Sequence, residues 1–154
     1  MNVFISYSAS DDQVIALRLQ TLASVYGFRA YVPPAFTRAG NDGTLSSTVQ
    51  QELKAADVVF AVINQAPSPS TAAELNYALL LKKLVVPIVG RWVDQRFLQS
   101  FPKHFILDPF KPSNIESDIV SFLQKSKADK ETKAAVIGLA ALVIGMLLLS
   151  SAKD

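Results

Sequence analysis

Glu74 is the residue around which chemistry could be built in this 154-residue chain. It is the fourth residue of the run TAAELNYALL, which follows directly on the loop Asn64 to Ser70. A carboxylate beside a reacting carbon can steady a growing positive charge or attack that carbon covalently. A plainer role competes with this one. Thr71-x-x-Glu74 is a capping-box pattern, with Thr71 at the N-cap and the glutamate returning to its backbone N–H. An acid in a first helical turn is favourable without any active site. On the residues alone the cap is the stronger reading.

Two other loops carry groups that suit a ligand. Ser8, Ser10 and Asp11 follow an apolar run, where hydroxyls and backbone N–H groups can hold phosphate or ribose; Ser10 equally fits a helix N-cap. In the long stretch Pro33 to Gly43, Phe36 can stack on a planar ring or pin the loop, and Arg38 is the nearest loop cation for a phosphate group. Ser68 and Ser70 can hydrogen-bond sugar hydroxyls or serve the turn. Tyr7 and Trp92 are expected to pack, Arg91 to edge the cleft, and His104 to be inert. Gly40 and Gly43 lack the spacing of either the dinucleotide or the P-loop fingerprint.

Composition removes several classes of chemistry. Cysteine is absent, which excludes disulfides, thiolate nucleophiles and cysteine-ligated metals. With a single histidine, no metal site is expected. The formal charge of +2 is too small to imply nucleic-acid binding.

The elements that position these loops follow from pattern. Val3 to Tyr7 reads as a strand; Val14, Leu17, Leu19, Leu22 and Val25 form the apolar stripe of a helix closed by Gly27. Phe28 to Val32 is a second strand, and Ser46 or Ser47 caps a helix through Leu53. Asp57 to Ile63 and Leu84 to Val89 are nearly continuous apolar runs, as buried parallel strands require. A helix from about Thr71 to Leu81 lies between them. A short helix around Asp94 to Gln99, an edge strand over His104 to Leu107, and a helix carrying Ile115, Ile119, Phe122 and Leu123 complete the set. Alternating strands and helices predict an α/β, flavodoxin-like fold with a central five-stranded parallel sheet, binding its ligand outside the strands' C-terminal ends.

The C-terminal residues predict a location. From Ala134 to Ala152 nineteen residues carry no charge, reaching about 28 Å as a helix. That is close to the ~30 Å of a bilayer's hydrocarbon core. The expected organisation is a domain over 1–124, a charged juxtamembrane linker over 125–133 and a transmembrane helix over 134–152. Lys125, Lys127, Lys130 and Lys133 place the head in the cytoplasm by the positive-inside rule. Ala134, Gly138, Ala141 and Gly145 line one helix face and allow close approach of a second span.

Taken together, VFISYSASDD, Tyr31 to Gly43, Asp57 to Ile63, Ser68-Pro69-Ser70 followed by Glu74-Leu75, and Leu84-Val85-Val86-Pro87-Ile88 resemble the TIR (Toll/interleukin-1 receptor homology) family over residues 2–124. The resemblance implies that Glu74 is the catalytic glutamate of the branch that cleaves the nicotinamide N-glycosidic bond. NAD is then a substrate, no cofactor is required, and the product is a hydrolysed, cyclised or transferred ADP-ribose. It also implies homo-oligomerisation through the TIR domain, a separate sensor or effector protein, and a role in antiviral defence or cell-death signalling. Thr71, Ala72 and Ala73 depart from the family, which often has Trp or Cys there. Two alternatives stand beside this reading. One is a non-catalytic adaptor in which Glu74 is a cap. The other is a nucleoside 2-deoxyribosyltransferase-like enzyme, whose pattern Thr71, Glu74, Tyr77, Ala78 and Lys83 share. Catalysis requires that Glu74 face a cleft a dinucleotide can enter.

Overall fold

The computed structural model describes residues 1–35, 38, 44–99, 101, 103–108 and 110–128. The proposed span over 134–152, Phe36 and most of the linker lie outside the described residues. No helix among the described residues is long and apolar enough to cross a membrane.

Five strands form one parallel sheet: β1 (Asn2–Tyr7), β2 (Arg29–Tyr31), β3 (Val58–Ile63), β4 (Leu84–Val89) and β5 (Phe105–Ile106). Their order is β2-β1-β3-β4-β5. The helices are α1 (Ser10–Val25), α2 (Ser47–Ala55), α3 (Pro69–Leu80), α4 (Gln95–Gln99) and α5 (Pro112–Ala128). This is the flavodoxin-like arrangement expected from the sequence. Helix α5 continues beyond residue 124 into the segment read as a linker.

Side chains alternate across a strand, so each face of the sheet has its own core. Phe4, Val59, Ala61, Ile63, Val85 and Val89 pack beneath α2, α3 and α4. Val3, Ile5, Phe60, Val62, Val86 and Ile88 pack beneath α1 and α5. Strands β3 and β4 are buried throughout, which their uninterrupted apolar sequences require. Pro87 pairs with Ala61 just before β4 meets β5 at Ile88, where β4 is still an edge on its outer side.

Helix α1 corrects its expected stripe. Val14, Leu17 and Val25 are exposed, while Asp12, Ala16, Leu19 and Ala23 face inward. The small alanines let the helix lie close to the sheet. The N-cap is Ala9 rather than Ser10, and the carboxylate of Asp12 accepts the Ala9 N–H at 3.0 Å. Gly27 ends the turn with φ +83°, a conformation that needs no Cβ.

The chain leaves β1 toward β2 on one side and returns to β3 on the other, so the order reverses between β1 and β3. At such a switch the loops beyond the strands part and leave a crevice. Register fixes what stands there: Ser6 is level with Ala61 and Tyr7 with Val62.

Candidate active site

Helix α3 begins earlier than its apolar pattern suggests. Ser68 is its N-cap, with Oγ accepting the Thr71 N–H at 3.1 Å, and Pro69 occupies the first helical position, where a missing N–H is harmless. Thr71 is therefore inside the first turn and Glu74 inside the second. The carboxylate does not return to the N-cap. The capping-box role is excluded, and Glu74 is available for something else.

Its side chain points toward the end of β1. By alternation Ser6 shares the face of Phe4, the α3 side, and its hydroxyl donates to Glu74 Oε1 at 2.7 Å. Arg38 arrives from the loop after β2 and grips both oxygens, with Nη2 2.6 Å from Oε1 and Nε 3.2 Å from Oε2. The same guanidinium donates to the Tyr7 carbonyl and to Thr71 Oγ1, and lies 4.0 Å above the Tyr7 ring centroid. The Tyr7 hydroxyl donates to the Pro33 carbonyl at 2.9 Å, tying that ring to the beginning of the loop.

Thr71 is the hub. Its hydroxyl donates to the Tyr7 carbonyl at 2.7 Å and accepts from Ser8 at 3.1 Å and Ser68 at 3.2 Å. Ser8 Oγ in turn accepts the Ser68 N–H at 3.2 Å. The loops after β1 and β3 are thus pinned together directly over the switch point. Among the described residues no buried side-chain nitrogen or oxygen lacks a partner.

Glu74 is fully buried, and the Arg38 side chain is only 7% exposed. The sequence reading asked for an open cleft at Glu74, and this structure holds that carboxylate closed. Burial pushes its carboxyl above the ordinary value, while the Arg38 pair and the Ser6 hydroxyl pull it partway back. A cavity of about 590 Å³ does open at the ends of β3, β4 and β5, but Glu74 is not among its walls.

No family model matches the chain, and no curated protein matches it. Solved structures do. A CMP N-glycosidase from Clostridium botulinum, BcmB, has 15% identity and a TM-score of 0.52, with 77% of this chain and 98% of that one covered. The TIR domains of the activated Roq1 resistosome, which directly recognises the pathogen effector XopQ, have 15% identity and a TM-score of 0.50, with 94% of this chain and 83% of that one covered. The likeness is one of fold. At that level it agrees with the TIR resemblance read from the sequence, and it brings an N-glycosidase into the same architecture.

The residues singled out from the sequence divide into three sets. Arg38, Ser8 and Ser68 gather around Glu74. Ser10 and Asp11 sit exposed at the start of α1, and half-buried Ser70 stands in the first turn of α3; none of these three joins the hydrogen-bond network just described. Phe36 lies outside the described residues. Trp92 is corrected: it is 85% exposed rather than packed in the core. Arg91 lines the cavity. No group of three metal-ligating side chains occurs among the described residues.

Sequence reasoning missed Ser6, and it passed over Thr71 and Tyr7 as partners. Ser6 had a signal: it is a small hydroxyl residue inside a buried strand, following Val3, Phe4 and Ile5, and a polar group buried there needs a partner. Thr71 was read as a cap because its spacing to Glu74 fits that motif, while Pro69 marks the true first position.

Proposed function

We propose that this chain cleaves the N-glycosidic bond of NAD, with Glu74 as the catalytic carboxylate. The observation that carries the reading is that Glu74, freed from any capping duty, points into the β1/β3 switch point and is covered there by the cationic side chain of Arg38. Arg38 belongs to no helix or strand, so it can leave without breaking the sheet. A pyrophosphate offers guanidinium the same bidentate geometry as a carboxylate. Substrate phosphate then takes Arg38 from Glu74 and uncovers the carboxylate as it binds.

The bond breaks with its electron pair moving to the nicotinamide nitrogen, so the cationic ring leaves neutral and needs no proton. Positive charge develops on the ribose, and the Glu74 carboxylate stabilises it or bonds to the anomeric carbon. Water then adds to that carbon and releases a proton; where Glu74 has bonded, the carbon–oxygen bond breaks and its electron pair returns to the carboxylate. A neutral base such as cytosine, by contrast, leaves well only when protonated, which glycosidases usually arrange with a second carboxylic acid. Among the described residues the hydrogen-bond partners of Glu74 are Ser6 and Arg38, neither of which is such an acid. This favours a cationic leaving group.

The N-glycosidase of similar fold motivates a second reading, cleavage of a nucleoside monophosphate. The apolar segment 134–152 would hold either enzyme at a membrane, where confinement raises local concentration and promotes assembly. Incubating the full-length chain with NAD or with CMP and separating the products tests both. Nicotinamide release abolished by Glu74→Gln supports the first reading; cytosine release abolished by the same change supports the second. Release of neither by an assembled chain overturns both.

A further inference from the structure

The cavity beyond β3, β4 and β5 is separate from Glu74 and has the chemistry of a recognition site. Its volume of about 590 Å³ falls within the roughly 300–1,000 Å³ of small-molecule pockets. The inner wall is aliphatic, built by Ile15 and Leu19 of α1 and Ile115 of α5. At the mouth stand two aromatic side chains, Trp92 at 85% and Phe110 at 84% exposure. Neither belongs to a core cluster, and both line the cavity while exposed to solvent.

The polar side chains on its walls are Arg18, Asn64, Gln65, Arg91, Asp108 and Glu116, and Arg18 is paired with Glu116. Asn64, the residue after β3, stands against Gly90: a Cβ at Gly90 would come within 2.3 Å of both the Asn64 carbonyl oxygen and its Oδ1. Only glycine permits that approach, and it presents an amide, both donor and acceptor, beside the cavity. Arg91 follows directly and reaches Asp108 only at 4.0 Å, with its side chain 59% exposed. So long and wet a pair holds the guanidinium weakly.

We propose that this cavity binds a mononucleotide. The heterocycle stacks on Trp92 and Phe110, its edge meets the Asn64 amide, and its phosphate takes Arg91. Stacking accepts any base, because every base has a π face. The amide and the cation select a polar, anionic ligand over a plain hydrocarbon. The inference does not depend on Glu74 being catalytic.

Trp92 is the chain's single tryptophan, so its fluorescence reports on this site alone. Titration of the full-length chain in lipid nanodiscs with AMP should quench it saturably. Adenosine should bind more weakly and inorganic phosphate should leave the emission unchanged. By calorimetry, Trp92→Ala and Phe110→Ala should each weaken AMP binding at least about fivefold, the low end of measured base-stacking losses. Arg91→Ala should weaken AMP but not adenosine. Both aromatic positions are exposed, so these variants fold. Absence of saturable quenching by millimolar AMP overturns the proposal, as does AMP binding that Phe110→Ala leaves intact. A change in oligomeric state on Trp92→Ala, with AMP inert, assigns the aromatic pair to contact between copies and also overturns it.

Discussion

Arg38 holds Glu74 by both oxygens, Nη2 at 2.6 Å and Nε at 3.2 Å, with the carboxylate shut off from solvent and the guanidinium side chain only 7% exposed. A pair this deep is costly to desolvate and is weak evidence for stability as such. Its partners come from different kinds of structure, Glu74 from a helix packed on the sheet and Arg38 from a connection. One is fixed and the other can exchange partners.

Glu74→Gln tests the fixed member. The amide keeps the shape and can still accept from Ser6, but it carries no charge to offset a cation on the ribose. Nicotinamide release should fall by at least about 10²-fold, the scale seen when one transition-state electrostatic contact is removed. Steady-state release, measured alongside circular dichroism to confirm the fold, is the check. Release that persists at the wild-type rate gives Glu74 back to a structural role.

Arg38→Ala separates recognition from chemistry. Without the guanidinium the pyrophosphate of NAD loses a bidentate partner, and KM for NAD should rise roughly tenfold or more, since hydrogen bonds to charged groups contribute about 1.5–3 kcal/mol. Nicotinamide riboside has no phosphate and gains nothing from Arg38. Its KM should be unchanged in the variant, while its activity–pH profile should move upward because the guanidinium no longer favours the charged carboxylate. Parallel loss on both substrates would show that Arg38 acts only by positioning the carboxylate.

Much of this was legible before any coordinates. The apolar runs Val58–Ile63 and Leu84–Val89 read as central strands because burial on both faces leaves no room for alternation. Arg38, Ser8 and Ser68 were singled out because they lie in loops that a parallel sheet must gather at one end. Partner choice was not legible. Nothing in a one-dimensional pattern says that Arg38 meets Glu74, since 36 residues and two elements, α2 and β3, separate them. Local spacing also misled where two motifs overlapped: Thr71-x-x-Glu74 fits a capping box, yet Ser68-Pro69 begins the helix a turn earlier. On α1, hydrophobicity suggests a stripe of Val14, Leu17, Leu19, Leu22 and Val25; Leu19 and Leu22 do face the core, but close approach to the sheet puts Ala16 and Ala23 beside them in place of the other three.

The pH response follows from Glu74. Its folded-state carboxyl lies above the ordinary 4.5 because burial outweighs the pull of Arg38 and Ser6. The folded chain therefore binds this proton at pH values where the unfolded chain has released it. The stability that protonation contributes is fully present below 4.5 and is lost as pH rises through the raised value. Activity runs the other way, rising with pH as the carboxylate forms. Thermal melts of wild type and Glu74→Gln across that window isolate the effect, since the other acids are common to both. Identical pH slopes for the two chains would show that Glu74 does not titrate above its ordinary value.

Ser6→Ala probes the hydroxyl that sequence reasoning missed. The change removes the donor 2.7 Å from Oε1 and, among the described residues, leaves that oxygen with Arg38. The folded state should lose about 1.5–3 kcal/mol at neutral pH, the usual contribution of a hydrogen bond to a charged group. Since the hydroxyl favours the charged carboxylate, its loss should move the Glu74 carboxyl further upward and displace the activity–pH profile the same way. Urea unfolding at neutral pH, set beside the kcat/KM profile, reads both effects. A stability loss with an unmoved profile would mean that Ser6 supports the fold of β1 without tuning the carboxylate.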